Sequence, residues 1–114
     1  MSNSEPPIEK SNKELTTLIK DLEVVGEILS ARWKTKMFIT IQKKTKSNGA
    51  TFISGYELSR LTHVSFSTAY KFLRNMVIKH GVLEYPTQIE GIKRVKITKS
   101  GDYIYQKIKL LLPN

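Results

Sequence analysis

A mainly α fold with a small β-hairpin follows from three observations on this sequence. Apolar residues recur every three or four positions over most of the chain, which is the helical period. Capping residues and glycines bracket those periodic segments. Strand character is confined to a short bridge in ATFIS and to two stretches near the C-terminal end, VLEYP at 82–86 and IKRVKIT at 92–98, which a turn containing Gly91 separates.

The first element in the chain is a tail. Residues 1–12 hold the pair Pro6 and Pro7 with little apolar content, and read as disordered. From residue 13 to about 30, Leu15, Leu18, Leu22, Val25 and Leu29 fall three and four apart, a heptad-like seam suited to pairing with a second subunit. Ile19 and Ile28 widen it, so packing on the chain's own domain is the other reading. The period continues through Trp33, Met37, Phe38 and Ile41 to a stop at Ser47, Asn48 and Gly49. One long helix, or two with a break near Gly26 or Ser30, both satisfy this pattern.

A bridge of strand is predicted at Thr51–Ile53. Ser54 with Glu57 has capping-box spacing and opens a short helix that turns Leu58 and Leu61 inward. After the tight link THVS comes SFSTAYKFLRNMVIKHG, residues 65–81. Ser65, Ser67 and Thr68 crowd its start, where hydroxyls cap backbone N–H groups, and Gly81 follows its end, where a left-handed cap needs glycine. Ala69, Phe72, Leu73, Met76 and Val77 form its apolar stripe, leaving Ser67, Tyr70, Lys71, Arg74 and Ile78 elsewhere. In the second strand of the hairpin, Val95 and Ile97 face one way and Arg94, Lys96 and Thr98 the other. The last helix, within 99–114, aligns Ile104, Ile108, Leu111 and Leu112, and packs on the core or on a partner subunit.

The 114 residues suffice for one small domain, and 39% hydrophobic with 25% charged residues is a globular composition. The absence of cysteine excludes disulfides, thiolate metal sites and thiol catalysis. The N-terminus lacks the apolar core of a signal peptide, and no run approaches the roughly 18 apolar residues of a membrane span, so a cytoplasmic protein without membrane contact is expected.

The formal net charge of +9 is unevenly placed. Residues 1–30 set Lys10, Lys13 and Lys20 against Glu5, Glu9, Glu14, Asp21, Glu23 and Glu27, whereas the remainder sets 16 lysines and arginines against Glu57, Glu84, Glu90 and Asp102. An acidic N-terminal element on a basic body points to a polyanionic partner.

Helix, short strand, helix, tight turn, helix, strand, turn, strand, helix is the order of a winged helix-turn-helix, here with extra N- and C-terminal helices. The stretch SGYELSRLTHVSFSTAYKFLRNMVIKHGVLEY, followed by IKRVKITKSGDYI, resembles the DNA-binding half of small winged-helix regulators of the MarR, PadR and ArsR kinds. The shared pieces are the Ser/Thr-rich helix start at 65–68, the Gly-apolar-apolar run at 81–83 and Thr98-x-x-Gly101. The flanking helices are similar to those of small archaeal Lrs-like and archaeal-virus winged-helix proteins. Three features depart from the pattern: a short wing bearing Glu90, a helix before Gly81 about one residue longer than usual, and a short C-terminal helix.

The resemblance implies a homodimer on double-stranded DNA, with residues 31–98 as the DNA-binding domain. The helix starting at Ser65 would enter the major groove with Ser65, Ser67 and Thr68 near phosphates or bases, and Lys71 and Arg74 on the groove face. Pure capping serves Ser65 equally well, and Tyr70 stacks on sugar, meets a thymine methyl, or covers the contact with the preceding helix. Lys93, Arg94 and Lys96 on the wing would supply backbone or minor-groove contacts. Leu15, Leu18, Leu22, Val25, Leu29, Ile108 and Leu111 would join the subunits. The basic run Lys43–Lys46 either clamps phosphate or complements its helix dipole.

Catalysis is not expected: His63 near Ser65 has no carboxylate to orient it, and His80 suits a helix end. Neither a metal nor another cofactor is implied, since two histidines 17 residues apart lack an acidic cluster and no phosphate-cradling glycine loop exists. The expected function is sequence-specific transcriptional regulation in the cytoplasm, at the nucleoid. Two other readings are open: a non-specific architectural DNA-binding protein, and a protein-interaction module of a transcription or replication complex.

Overall fold

The computed structural model describes residues 8–86 and 94–112, with side chains from Asn12 onward. Helix α1 spans Ile8–Leu29 and α2 spans Arg32–Lys44. Residues 8–12, expected in the tail, are therefore helical. Pro6 and Pro7 stand just before Ile8 in sequence, and a helix tolerates proline only at or before its first turn. The break between helices lies at Ser30 and Ala31, not Gly26. Ser30 Oγ turns back onto the Glu27 carbonyl at 2.7 Å, Ala31 is extended, and Thr35 Oγ1 donates across the corner to the Ile28 carbonyl at 2.7 Å. Hydroxyls thus satisfy carbonyls that the interrupted ladder leaves free.

Helix α2 ends at Lys44, earlier than the Ser47–Gly49 stop, because Thr45 is drawn into the interior. Its Oγ1 donates to the Ile41 carbonyl at 2.8 Å and accepts the Ile97 N–H at 3.0 Å. That one hydroxyl joins the end of α2 to a strand 52 residues away in the sequence.

Strand β1 is Ile53–Ser54, shifted from the expected Thr51–Ile53. Helix α3, Gly55–Thr62, starts on Ser54, whose side chain accepts the Glu57 N–H at 3.1 Å. Helix α4, Phe66–Arg74, continues into one turn of π-helix at Asn75–Lys79. A π turn accommodates one more residue than an α turn. Gly81 then takes φ 65°, a left-handed cap, and the Val82 N–H reaches back to the Met76 carbonyl at 3.0 Å.

Strands β2, Leu83–Glu84, and β3, Arg94–Ile97, complete a three-stranded antiparallel sheet of order β1-β3-β2. Ile53 faces Val95 and Leu83 faces Ile97. The segment 87–93, with the expected wing tip and Lys93, lies outside the described residues. Helix α5, Lys99–Leu111, is capped by Thr98, which accepts the Gly101 N–H at 3.0 Å and donates to the Gly81 carbonyl at 2.8 Å.

The architecture is mainly helical with this small sheet at one side. Met37, Phe38 and Ile41 of α2 are fully buried, and α1, α3, α5 and β3 all pack on α2. Two residues expected at a dimer interface belong to this core: Val25 is 7% exposed and Ile108 is 0% exposed. Val25 lies at the C-terminal end of α1, where α2 and α5 cover it, and Ile108 lies on the face that α5 turns to them. Among the described residues, no helix is long and apolar enough to cross a membrane.

Gly101 marks the closest approach in the fold, because a Cβ there would collide with the Val82 carbonyl and the Ile97 side chain. The Val82 obstacle is backbone and cannot rotate away. A Gly101→Ala chain is expected to lose about 3 kcal/mol of stability in urea denaturation.

Candidate nucleic-acid interface

Helices α3 and α4 are joined by only His63, Val64 and Ser65. His63 adopts the left-handed conformation, φ 59° and ψ 37°, and so turns the chain sharply at the end of α3. Ser59 Oγ donates to the Val64 carbonyl and holds the turn from within α3. Ser65 closes it as the N-cap of α4: its Oγ accepts the Thr68 N–H at 3.3 Å and donates to Thr68 Oγ1 at 3.0 Å. A short connection bound at both ends leaves α4 little freedom relative to α3.

The helix then sorts its side chains by face. Ala69, Phe72, Leu73 and Met76 are buried, while Ser65, Ser67, Thr68, Lys71, Arg74 and Asn75 are exposed. Ser67, Lys71 and Arg74 recur at i, i+4 and i+7, so they line up along one exposed strip. Hydroxyls mark its N-terminal end and the cations Lys71 and Arg74 its last turn. Such a strip can offer hydrogen bonds and positive charge to a polyanion in a groove without disturbing the core beneath.

Tyr70 is half-buried at the border of this strip and packs against the core. Its ring lies 6.1 Å from that of Phe66, which stacks on the exposed Tyr56 of α3 at 4.3 Å. The three rings brace the start of α4 against α3.

Lys34 is a neighbour that sequence reasoning missed. It projects from the first turn of α2 above the rings of Trp33 and Phe72, 5.7 and 6.0 Å from their centroids, and bonds Ser30 Oγ at 3.2 Å. With Thr68, Lys71 and Asn75 it lines a shallow cleft of ≈ 220 Å³ beside the α4 strip. Glu27 borders the same cleft but is engaged by His80 Nε2 at 3.1 Å. The signal available was weak, because Lys34 is only one of many lysines and its proximity to α4 is tertiary.

The sheet supplies less than expected. Arg94 is exposed at the start of β3, but Lys96 is 8% exposed and its ammonium is occupied internally. Nζ donates to the Ser47 and Gly49 carbonyls at 3.0 and 2.8 Å, pairs with Glu84 at 3.2 Å, and lies over the Phe52 ring. Lys96 is thus removed from the interface and assigned to the framework. Alternation along β3 did place it opposite Val95, yet the α2–β1 connection covers that face too. Among the described residues, no three His, Asp or Glu side chains come together to hold a metal ion.

No protein-family model and no curated protein matches the sequence. The crystal structure of RV1404 from Mycobacterium tuberculosis does match, with a TM-score of 0.53 over 96% of this chain and 77% of that one. The likeness is one of fold. At 12% identity, it extends to the arrangement of helices and sheet and not to the side chains of a site.

The seam residues divide by position. Leu15, Leu18, Leu22, Leu29 and Leu111 are exposed, unlike the buried Val25 and Ile108. The free part of the seam therefore runs along α1 from Leu15 to Leu22, with Leu29 at the end of that helix and Leu111 at the tip of α5.

Removing the Lys96 ammonium strips two half-buried carbonyls, those of Ser47 and Gly49, of their donor. Lys96→Met is expected to cost about 2 kcal/mol in urea denaturation, whereas Arg94→Ala, on an exposed side chain, should stay within about 0.5 kcal/mol of the parent chain.

Proposed function

We propose that this chain is a sequence-specific, double-stranded-DNA-binding transcriptional regulator of the winged helix-turn-helix type, acting as a homodimer. In this reading α3 and α4 are the helix-turn-helix, α4 enters the major groove, and the β2–β3 hairpin is the wing. The observation that carries it is the exposed strip Ser67, Lys71 and Arg74 on a helix whose opposite face is buried and whose start is fixed by a three-residue turn.

The chemistry divides between the residues. Arg74 can make a bidentate contact to guanine, and the hydroxyls at 65, 67 and 68 with the helix N-terminus suit phosphate oxygens. Lys71, Lys34 and Arg94 add phosphate contacts that supply affinity more than sequence choice. The body of the chain, with its excess of basic over acidic residues, favours any polyanion, while the acidic α1 stays away from DNA and serves subunit contact. Two copies would read half-sites about 34 Å apart, in the cytoplasm and on the nucleoid. The role is binding rather than catalysis.

Fluorescence anisotropy on the chain's own upstream DNA and a shuffled duplex, at about 50 and about 200 mM salt, tests this. The upstream duplex should remain preferred at the higher salt, and Lys71→Ala with Arg74→Ala should abolish that preference with the fold intact. Equal binding that collapses with salt would assign an architectural role instead, and no binding at either salt would assign a protein-interaction role. Sedimentation should give a dimer for the parent chain and a monomer for Leu18→Asp with Leu22→Asp.

A further inference from the structure

Two surfaces of this chain fit each other but cannot meet within one copy. The first is the N-terminal part of α1. Residues 12–20 are all exposed, and Leu15, Leu18, Ile19 and Leu22 are each between 48% and 61% exposed. With about 3.6 residues per turn, these four side chains form one stripe. Glu14 and Asp21 lie along one edge of it and Glu23 along the other, while Lys13 and Lys20 fall on the far side of the helix. The stripe is apolar with acidic margins.

The second surface is a groove of ≈ 810 Å³ along α2. Leu29, Ile39 and Leu112 give it apolar walls, and Arg32, Lys36 and Lys43 stand along it, with no acidic side chain among the described residues that line it. These three cations are exposed and spaced i, i+4 and i+11, one face of α2. Arg32 to Lys43 covers about 16 Å of helix, and Glu14 to Glu23 about 13 Å. Apolar content, sign of charge and length all correspond.

We propose that the N-terminal stripe of α1 from a second copy seats in this groove, each copy giving its arm to the other about a two-fold axis. This rests on the reading of the chain as a homodimer, and names the surfaces that join. Direct pairing of the two α1 stripes is disfavoured, because it sets Glu14, Asp21 and Glu23 against their own copies on both margins. Seating on α2 sets one acidic margin, that of Glu14 and Asp21 or that of Glu23, beside Arg32, Lys36 and Lys43. A two-fold arrangement uses both arms and both grooves and leaves neither free to propagate. Leu111, adjoining Leu112 at the groove end, is covered in the same step.

Charge reversal tests the assignment by sedimentation equilibrium. One variant carries Arg32→Glu, Lys36→Glu and Lys43→Glu; the other carries Glu14→Lys, Asp21→Lys and Glu23→Lys. Each alone should weaken self-association by about tenfold or more, because arm and groove then have like charge. An equimolar mixture should recover the dimer, since each arm again meets a groove of opposite sign, and recovery itself requires both variants to be folded. A groove variant that dimerises as the parent does would overturn the arm-in-groove contact while leaving the homodimer standing. Two weakened variants that fail to recover on mixing would also overturn it. A parent chain that is monomeric throughout would remove the homodimer reading and this contact together.

Discussion

Met37, Phe38 and Ile41 of α2 are withdrawn completely from water, and α1, α3, α5 and β3 all pack on that helix. In a chain of 114 residues there is no second layer to share this burden. Other features follow from it. Among the described residues, helix α1 reaches the shared core through Val24, Val25 and Ile28 at its C-terminal end, whereas residues 12–20 are exposed. The end of α2 is tied to β3 by a single threonine hydroxyl, which sets the sheet against the same core.

The candidate interface depends on how firmly α4 is held at both ends. At its start, Ser65 and the left-handed His63 close a turn that Ser59 braces from inside α3. At its end, the π turn, Gly81 and Thr98 link α4 to the start of α5, and His80 reaches Glu27 on α1. A helix fixed in this way can present short hydroxyls and two cations with little backbone entropy left to lose on binding. The DNA-binding role proposed for it draws on that rigidity as much as on charge.

Charge is sorted between arm and body rather than mixed over the surface. The acidic residues of α1 flank its exposed leucines, while the cations of the body line α2, the α4 strip and the start of β3. In the proposed dimer, this sorting draws α1 to the basic groove of a partner, while Glu27, the carboxylate that borders the cleft beside α4, is engaged by His80.

What the sequence by itself determined was local. The caps at Ser54 and Ser65 and the left-handed Gly81 were readable, because each is a bond or a backbone angle spanning a few residues. The apolar stripe of α4 was readable from its period, whereas the π turn that follows it was not. Tertiary structure decided whatever depends on residues far along the chain. Val25 and Ile108 had the same seam spacing as the exposed Leu18 and Leu22, and only the packing of α1, α2 and α5 distinguishes them. Lys96 had the alternation of an exposed strand cation, but carbonyls 47 and 49 residues earlier capture its ammonium. Lys34 comes beside α4 only because the chain turns at Ser30. Periodicity tells which side chains share a face, whereas what covers that face is set by segments distant in sequence.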